Sequence, residues 1–322
     1  MKKILTVTLN PAFDFHAYAD RFVMGAENYV TRFSCDAGGK GVNVSRALVK
    51  NQLGSVAYVV MGRENAAEFE SLLAKDSIEF VSVYTDGRIR ENVILHPGDG
   101  GETRINLDTF SLDASVLDSL YEVLVEDIGE GTVVVFSGRL PRGICKGDVI
   151  EFLHRLTVAG ARLVVDCNLL SAEELRVISP WLIKPNEQEV VSILGREVKD
   201  LADAASAARE LVLRGISEQV MISLGGRGLV WSDGERRIAV EGQRIEQPLS
   251  TVGAGDSTVA GYLAGVMQGL SADASLRLAC AFGTAACMTE GTKPPEPETV
   301  SELFGRICGF EYDAAGKRVK IT

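Results

Sequence analysis

The sequence predicts a doubly wound α/β fold, in which helices cover a mostly parallel sheet, with a small second β-sheet beside it. Short apolar segments alternate with amphipathic helical segments through most of the 322 residues. Several apolar segments are rich in Val and Ile on both faces, as central strands of a covered parallel sheet are. This alternation is typical of doubly wound proteins. The length suits one α/β domain over residues 1–322.

The individual elements follow from apolar periodicity. Strands are predicted at Ile4–Leu9, Val56–Val60, Val133–Phe136, Arg162–Asp166, Leu182–Lys184 and Gln219–Ser223. Helices are predicted at Val42–Lys50, Ala66–Lys75, Ala114–Glu126, Gly147–Ala159, Asn186–Leu194 and Asp200–Arg214. The last third is predicted to be helical at Gly253–Gln268, Ala272–Glu290 and Glu296–Cys308, with a hairpin over Phe310–Ile321.

Two segments, Asp14–Asp36 and Arg88–Asp108, interrupt this alternation. Apolar and polar residues alternate at period two in Phe13–Tyr18 and Asn92–His96. The composition of residues 97–101 predicts a hairpin turn. Each segment follows a core strand, so both should emerge at the ligand-binding edge of the sheet. We predict a small β-sheet lid rather than two unrelated surface hairpins, because both segments carry polar residues suited to a site.

Composition excludes several classes of partner. The formal net charge is -11, which is a poor match for nucleic acid or an anionic membrane surface. An anionic substrate must therefore be bound by a local cluster of Lys and Arg. The apolar run Ile4–Leu9 is too short for a signal-peptide core, and no apolar stretch approaches membrane-spanning length. The six cysteines are scattered without a CxxC pair, so we expect reduced thiols and a cytoplasmic protein.

A first glycine-rich turn surrounds Lys40 at the start of a predicted helix. Gly38, Gly39 and Gly41 allow backbone N–H groups to approach a ligand, and Lys40 supplies positive charge. The spacing is not that of a Walker A loop. Such a turn is often only a tight connection, but Lys40 and Asn43 at a helix start favour a binding role.

A second glycine-rich turn, Gly253-Ala254-Gly255, opens a helix made of small and apolar residues. The unpaired amide donors of its first turn can form an anion hole. Asp256 follows directly, in that same turn. A carboxylate there is also favoured by the helix dipole, so simple helix capping is the alternative. Two preceding glycines favour close approach to a substrate instead.

The Gly253–Asp256 motif, preceded by Thr251-Val252, resembles the signature of the ribokinase (PfkB) carbohydrate kinase family. Five further motifs resemble those of the family and occur in the same order, and six ordered motifs are far more specific than any one. These motifs are Thr8–Asp14, Gly38–Val44, Ser137–Pro141, Lys184–Glu189 and Ser223–Gly228.

The resemblance implies a role for each matching residue. Asp256 resembles the catalytic base, with Gly253, Ala254 and Gly255 as the anion hole. The implied substrate-binding residues are Asp14, Gly38, Gly39, Lys40, Asn43, Arg90, Arg104, Ser137 and Arg139. Of these, Asp14 and Asn43 would hold sugar hydroxyls. Lys40 and Arg90, helped by Arg104 and Arg139, would neutralise a phosphate. The implied ATP-binding residues are Lys184, Asn186, Ser223, Gly225, Gly228, Thr251 and Gly283, with Cys287 near adenine. Asn186 and Glu189 would organise Mg²⁺ through water.

Simpler interpretations remain open for some of these residues. Glu189 is also explained as an ordinary solvated residue of its helix. Arg104 alternates with Ile105 on a predicted strand and is also explained as facing solvent. Arg139 departs from the Ser usual in the family, and it either adds a phosphate contact or alters substrate choice. The hairpin near the carboxyl terminus extends beyond the usual end of the family.

The motifs at Asn10–Asp14 and Gly39–Gly41 resemble most the family members that act on ketose phosphates. The implied reaction is ATP-dependent phosphorylation of fructose 1-phosphate to fructose 1,6-bisphosphate. Tagatose 6-phosphate and fructose 6-phosphate remain alternatives, because one hydroxyl contact can decide between such sugars. The resemblance also implies a homodimer formed through the lid.

Two other classes of function are less consistent with the sequence. A non-catalytic regulator with this fold would be expected to have lost its base or anion hole, whereas Asp256 and both glycines are present. A nicotinamide-dependent dehydrogenase is disfavoured because no GxGxxG follows the first strand.

Overall fold

The computed structural model describes residues 3–98, 100–107 and 111–321. Within them, one sheet has eleven strands and a second, separate sheet has four. The strands of the large sheet are β1 (Ile4–Thr8), β4 (Val56–Gly62), β5 (Glu79–Thr85), β8 (Val133–Ser137), β9 (Arg162–Asp166), β10 (Leu182–Ile183), β11 (Gln219–Ser223), β12 (Gly228–Ser232), β13 (Arg237–Glu241), β14 (Gly309–Tyr312) and β15 (Arg318–Lys320). The small sheet contains β2 (Ala12–Ala19), β3 (Arg32–Gly38), β6 (Arg90–Pro97) and β7 (Thr103–Asn106).

The large sheet runs in the order β15-β14-β13-β12-β11-β10-β9-β8-β1-β4-β5. Strands β5 to β11 of this order pair in parallel, and β11 to β15 pair antiparallel. The sheet is therefore mixed, with a parallel majority, and the predicted fold class is confirmed. The predicted hairpin after Gly309 adds β14 and β15 to the antiparallel edge.

Helices cover both faces of this sheet. Their bounds are α1 (Lys40–Lys50), α2 (Ala66–Lys75), α3 (Ser115–Val125), α4 (Lys146–Val158), α5 (Ala172–Ile178), α6 (Glu187–Leu194), α7 (Leu201–Leu213), α8 (Ala254–Met267), α9 (Ala272–Ala286) and α10 (Pro297–Arg306). Among the described residues, no helix combines the length and the apolar character needed to cross a membrane.

Side chains of each strand point alternately to the two faces of the large sheet, so the core has two main layers. Val134 and Phe136 of β8 pack with α3, α4 and α7 on one face. Val133 and Val135 of the same strand pack with α1, α8 and α9 on the other. Because both faces are covered by apolar side chains, the strand segments are apolar throughout, as the sequence indicated.

Three elements of the sheet and one helix were not predicted. Strand β5 lies at the sheet edge and is only partly buried, so polar residues interrupt its apolar pattern. Strands β12 and β13 form an antiparallel hairpin that departs from the strand–helix alternation. Helix α5 spans only seven residues, which is too short for a clear helical period.

The small sheet has the order β3-β2-β6-β7 and is built from the two interrupting segments. Strand β2 pairs in parallel with β6, so Asp14 lies beside Asn92. Strands β2 and β3 pair antiparallel from Ala12 to Tyr18. The last residue of the second predicted segment, Asp108, lies outside the described residues.

Candidate active site

Two neighbouring cavities lie where the parallel strands of the large sheet end. The first, here called the lid cavity, has a volume of about 440 Å³ and lies between the small sheet and α8. The second, here called the helix cavity, has a volume of about 480 Å³ and lies between the β11–β12 hairpin, α8 and α9. Asn186, Ser223, Thr251 and Gly255 line both cavities, so the two meet at the amino terminus of α8.

Asp256 lies in the first turn of α8 and lines the lid cavity. The residue before the helix, Gly253, has φ +74, a left-handed conformation that glycine adopts without steric cost. The Asn43 side chain donates a hydrogen bond from Nδ2 to Asp256 Oδ2 at 2.9 Å. Burial, together with the nearby charge of Asp166, raises the pKa of Asp256 to about 6. A carboxyl with such a pKa is well suited to accept a proton near neutral pH.

The amino terminus of α8 brings backbone donors and a lysine together. The first turn contains Ala254 and Gly255, whose N–H groups have no partner within the helix itself, although the Ala254 N–H donates to the carbonyl oxygen of Thr251 at 3.5 Å. A Cβ atom on Gly255 would lie 3.5 Å from Lys184 Nζ, an ordinary contact distance, so the ammonium lies close to the helix end. The arrangement can bind an anion through helix-terminal amides and one cation.

A buried carboxylate, Asp166, holds two of the predicted lysines. Lys184 Nζ lies 3.2 Å from Asp166 Oδ1, and Lys40 Nζ lies 3.5 Å from Asp166 Oδ2. Burial opposes the ionised form of Asp166, but the attraction of Lys184 and Lys40 outweighs it and lowers the pKa of this carboxyl. Burial likewise opposes the charged form of Lys40, yet Asp166, Asp256 and Glu189 raise its pKa. Lys40 therefore stays charged in the site.

Asp166 was not identified from the sequence. It is a charged residue at the carboxyl end of the apolar strand Arg162–Asp166. Residues at that position of a parallel strand commonly face a ligand site, and this signal was available. The sequence did not indicate that the strand order would place Asp166 between Lys40 and Lys184.

On the lid side, Asp14 is held between two strands of the small sheet. Asn92 Nδ2 donates to Asp14 Oδ1 at 2.7 Å. Burial raises the pKa of Asp14 in spite of that hydrogen bond. Gly38 does not line the cavity, but a Cβ atom there would lie 2.1 Å from Asp14 Oδ2. Gly38 therefore makes room for the carboxylate, and Asn92 is a second residue that the sequence analysis missed.

Of the other predicted substrate-binding residues, some line the lid cavity and some do not. Arg90 and Arg104 extend from β6 and β7 and line the lid cavity with Lys40. Arg104 also donates from Nε to Glu102 at 2.5 Å. Ser137 is buried and Arg139 is exposed, and neither lies among the residues that line the two cavities. The structure thus brings Arg104 to the site but does not bring Ser137 or Arg139 there.

The predicted nucleotide-binding residues gather around the helix cavity. A Cβ atom on Gly283 would lie 2.4 Å from Thr258 Oγ1, so a glycine is needed where α9 approaches α8. Lys184 lies on the other side of the junction and lines the lid cavity. The residues of the prediction that line the helix cavity are Asn186, Ser223, Gly225, Gly228, Thr251, Gly283 and Cys287, joined by Ala254 and Gly255 of the α8 turn.

Asn186 and Glu189 form a capping box at the start of α6. Asn186 Oδ1 accepts from the Glu189 N–H at 3.0 Å, and Glu189 Oε2 accepts from the Asn186 N–H at 2.8 Å. Both residues also line the lid cavity. Among the described residues, no group of three His, Cys, Asp or Glu side chains can hold a metal ion. Oxygen donors of this kind fit Mg²⁺ that keeps its waters and is held mainly by substrate phosphates.

Comparison with known proteins agrees with this geometry. The family model described as "pfkB family carbohydrate kinase" matches residues 1–299. The chain is 32% identical over 286 residues to a 1-phosphofructokinase of Haemophilus influenzae, covering 87% of this chain and 90% of that protein. It is 30% identical over 311 residues to a 1-phosphofructokinase of Escherichia coli K12, covering 95% and 97%.

A solved structure supports the same relationship. The phosphofructokinase-2 of Escherichia coli, in complex with substrates and products, superposes with a TM-score of 0.86 at 28% identity. The match covers 94% of this chain and 99% of that chain. The order of motifs, the fold and the family match agree. The chain belongs to the pfkB family of carbohydrate kinases.

Proposed function

We propose that the protein transfers the γ-phosphoryl group of ATP to fructose 1-phosphate, giving fructose 1,6-bisphosphate. One observation carries the proposal: two cavities meet at the amino terminus of α8, and Asp256 lies on the side lined by Lys40, Arg90 and Arg104. A phosphorylated sugar on that side and a nucleotide on the other would bring donor and acceptor together at the helix end.

Asp256 acts as the base in this proposal. The product, a 1,6-bisphosphate, requires attack by the hydroxyl at C6 of the sugar. Asp256 accepts its proton, and its pKa of about 6 keeps most of the carboxylate ionised at neutral pH. A positioned base of this kind orients the nucleophile for in-line transfer.

The transferring phosphoryl group would lie at the junction of the cavities. The N–H groups of the Gly253–Gly255 turn and the Lys184 ammonium supply the positive potential that transfer requires. Lys40 is held by Asp166 and lies close enough to Asp256 for that carboxylate to help raise the pKa of Lys40. Lys40 adds positive charge on the acceptor side. These cations are fixed before substrate binds, which reduces the reorganisation needed during transfer.

ATP occupies the helix cavity in this proposal, with its phosphates toward Asn186, Ser223 and Thr251. Cys287 and Gly283 lie on the α9 side, where a flat base fits against small side chains. Asn186 and Glu189 would hold Mg²⁺ through water, and the ion would supply positive charge beside the ATP phosphates. The capping box fixes both side chains at the edge of the cavity.

The phosphate already on the sugar binds to Arg90 and Arg104. These residues extend from the small sheet and so lie on the lid side of the cavity, opposite the α8 terminus. Asp14, fixed by Asn92, binds sugar hydroxyls between the two ends. The small sheet therefore serves as a lid that recognises the substrate.

Tagatose 6-phosphate and fructose 6-phosphate remain alternative substrates, because each also has a phosphate at one end and a free hydroxyl at the other, and few hydroxyl contacts distinguish such sugars. The names of the curated relatives favour fructose 1-phosphate. A non-catalytic regulator is disfavoured, because Asp256, its hydrogen bond to Asn43 and the anion-binding turn are all in place.

We also propose that two copies associate through their lids and that the protein works in the cytoplasm. The small sheet exposes Phe33 and Ile105, and the loop between β2 and β3 exposes Met24 and Tyr29. Large apolar side chains on an open sheet and its loop favour contact with a second copy. An oligomeric form of the Escherichia coli phosphofructokinase-2 is known from a tetrameric structure.

The function is tested by an ATP-dependent kinase assay across fructose 1-phosphate, fructose 6-phosphate, tagatose 6-phosphate and the unphosphorylated sugars. We expect the highest kcat/KM with fructose 1-phosphate and much lower values with free fructose and free tagatose. Equal efficiency with free fructose would contradict a phosphate site at Arg90 and Arg104. Preference for another ketose phosphate would correct the substrate while keeping the reaction.

A further inference from the structure

We infer that Arg46 is a positioning residue, which sets the orientation of the Asn43 amide and through it the placement of the Asp256 carboxylate. The inference rests on the proposed role of Asp256 as the base. It gives a function to a buried arginine that lines neither the lid cavity nor the helix cavity and that lies outside the sequence motifs.

Arg46 lies in α1, one turn after Asn43, and only 5% of it is exposed. Its Nε donates to Asp76 Oδ2 at 2.7 Å, and its Nη1 donates to Asn43 Oδ1 at 2.9 Å. Its Nη2 donates to the carbonyl oxygen of Ala37. The guanidinium is thus held by three elements: the end of α2, the last residues of β3 and α1 itself.

The direction of these hydrogen bonds decides how Asn43 faces Asp256. A guanidinium only donates, so the atom of the Asn43 amide beside Arg46 must be the oxygen. The amide nitrogen then points to the opposite side, where it donates to Asp256 Oδ2 at 2.9 Å. Without Arg46, the hydrogen bond to Asp256 alone holds the amide, so its orientation is less strongly fixed. An amide that turns over would place its oxygen against the carboxylate and repel the ionised base.

The Asn43–Asp256 hydrogen bond acts within a charged environment that Arg46 does not contact directly. Lys40, Lys184 and Asp166 also act on Asp256, the lysines lowering its pKa and Asp166 raising it. Lys184 and Asp166 belong to other elements, and Lys40, the first residue of α1, pairs with Asp166 and not with Arg46. Replacing Arg46 therefore leaves the contacts of these three residues in place. A change at Asp256 in an Arg46 variant therefore reports on the Asn43 link.

A purely structural role is the competing explanation, because the Arg46–Asp76 ion pair also ties α1 to α2. Two variants separate the possibilities. Arg46→Met keeps the apolar stem and removes every donor. Asp76→Asn weakens the ion pair, keeps an oxygen acceptor for Nε and leaves the hydrogen bond to Asn43 intact, so it is the matched control.

We expect Arg46→Met to lower kcat about 10- to 100-fold, within the usual contribution of a positioned base, and to change the KM for ATP less than about twofold. The pKa of Asp256, followed by ¹³C NMR of labelled carboxyl groups and assigned with Asp256→Asn, should rise by about half a unit or more, because a donor is lost. Asp76→Asn should lower thermal stability and leave that pKa unchanged.

A double-mutant cycle with Asn43→Ala completes the test. If Arg46 acts through Asn43, adding Arg46→Met to Asn43→Ala should change kcat and the Asp256 pKa little further. Additive effects on both, or an unchanged Asp256 pKa in Arg46→Met, would overturn the inference. A shifted pKa in a protein without kinase activity would instead contradict the proposed function and leave the positioning role standing.

Discussion

A Cβ atom on Gly38 would lie 2.1 Å from Asp14 Oδ2, so the glycine and the carboxylate occupy adjoining space in the small sheet. Gly38 has an ordinary φ, unlike its neighbour Gly39 at φ +131. A substitution at Gly38 therefore tests the position of Asp14 without the strain of a left-handed φ, and its Cβ atom would in addition lie 3.0 Å from the carbonyl oxygen of Ala12.

We expect Gly38→Ala to displace the Asp14 carboxylate and raise the KM for the sugar phosphate about tenfold or more, since small misplacements are costly in such sites. The KM for ATP should stay within about twofold. Gly54→Ala is the matched control, because a Cβ atom there meets nothing within 4 Å and its φ is also ordinary. Steady-state kinetics with each substrate varied measures both effects, and unchanged sugar-phosphate KM in Gly38→Ala would contradict the role of Asp14.

Replacement of Asp256 should lower the activity and raise the stability of the protein. Asp256→Asn should lower kcat by about 10²–10⁴, the usual contribution of a positioned base. Burial raises the pKa of Asp256 from 3.8 to about 6, so this group lowers the free energy of unfolding as pH rises from about 4 to about 6, and the full loss remains at pH 7. Asp256→Asn should therefore increase the free energy of unfolding at pH 7 by about 1–3 kcal/mol. Urea unfolding measures this change, and near-normal turnover in a pure, folded variant would exclude the assignment.

The pH dependence of the reaction should follow the same carboxyl group. Because Asp256 accepts a proton only when ionised, kcat/KM should fall about tenfold per pH unit below an apparent pKa near 6. Above that pH, the rate should be level until another group titrates. Initial rates between pH 5 and 8 measure the profile. A profile that stays level down to pH 5 would place the acid limb close to pH 4. It would mean that burial and Asp166 do not raise the pKa of the base.

Arg90 should recognise the phosphate that the sugar already carries. Arg90→Ala should weaken transition-state binding of the sugar phosphate by about 2–4 kcal/mol, as expected for loss of a charge-assisted contact. The expected effect is a higher KM for sugar phosphate with little change for ATP. Arg88→Ala is the control, because Arg88 is exposed, pairs with Glu91 at 2.8 Å and does not line the lid cavity. Equal weakening of ATP binding would place the phosphate site elsewhere.

The apolar surface of the small sheet should hold two copies together. Phe33 on β3 is 60% exposed, and placing a charge there should separate the dimer into monomers. Phe33→Glu is measured by sedimentation velocity against Leu213→Glu, which changes an equally exposed side chain on α7. A wild-type protein that is monomeric and fully active at assay concentration would refute the lid dimer.

Much of the fold could be predicted from the sequence because the patterns that indicate it lie in short segments of the chain. Buried strands such as Val133–Ser137 are apolar on both faces, and helix α8 starts at a glycine with a left-handed φ. The glycine-rich turns at Lys40 and Asp256 were also identified as binding elements. Edge strand β5, which is partly exposed, carries a weaker pattern and was missed.

The contacts that define the site depended on tertiary structure. Sheet order places Asp166 between Lys40 and Lys184, and the parallel pairing of β2 with β6 places Asn92 beside Asp14. The resemblance implied that Asn43 binds sugar. Asn43 lines the lid cavity, and the contact that the sequence did not indicate is the hydrogen bond from its Nδ2 to Asp256. None of these partners is close in sequence, so no local pattern reports them.

The sequence by itself therefore determined the fold class, the glycine-rich turns and the family. Those properties depend on periodicity and on motif order, which are read directly along a chain. Which polar side chains face one another was decided only when strands distant in sequence became neighbours. That step brought Arg104 to the lid cavity and kept Ser137 and Arg139 outside it, because the direction of a side chain depends on packing around it as well as on its place in a motif.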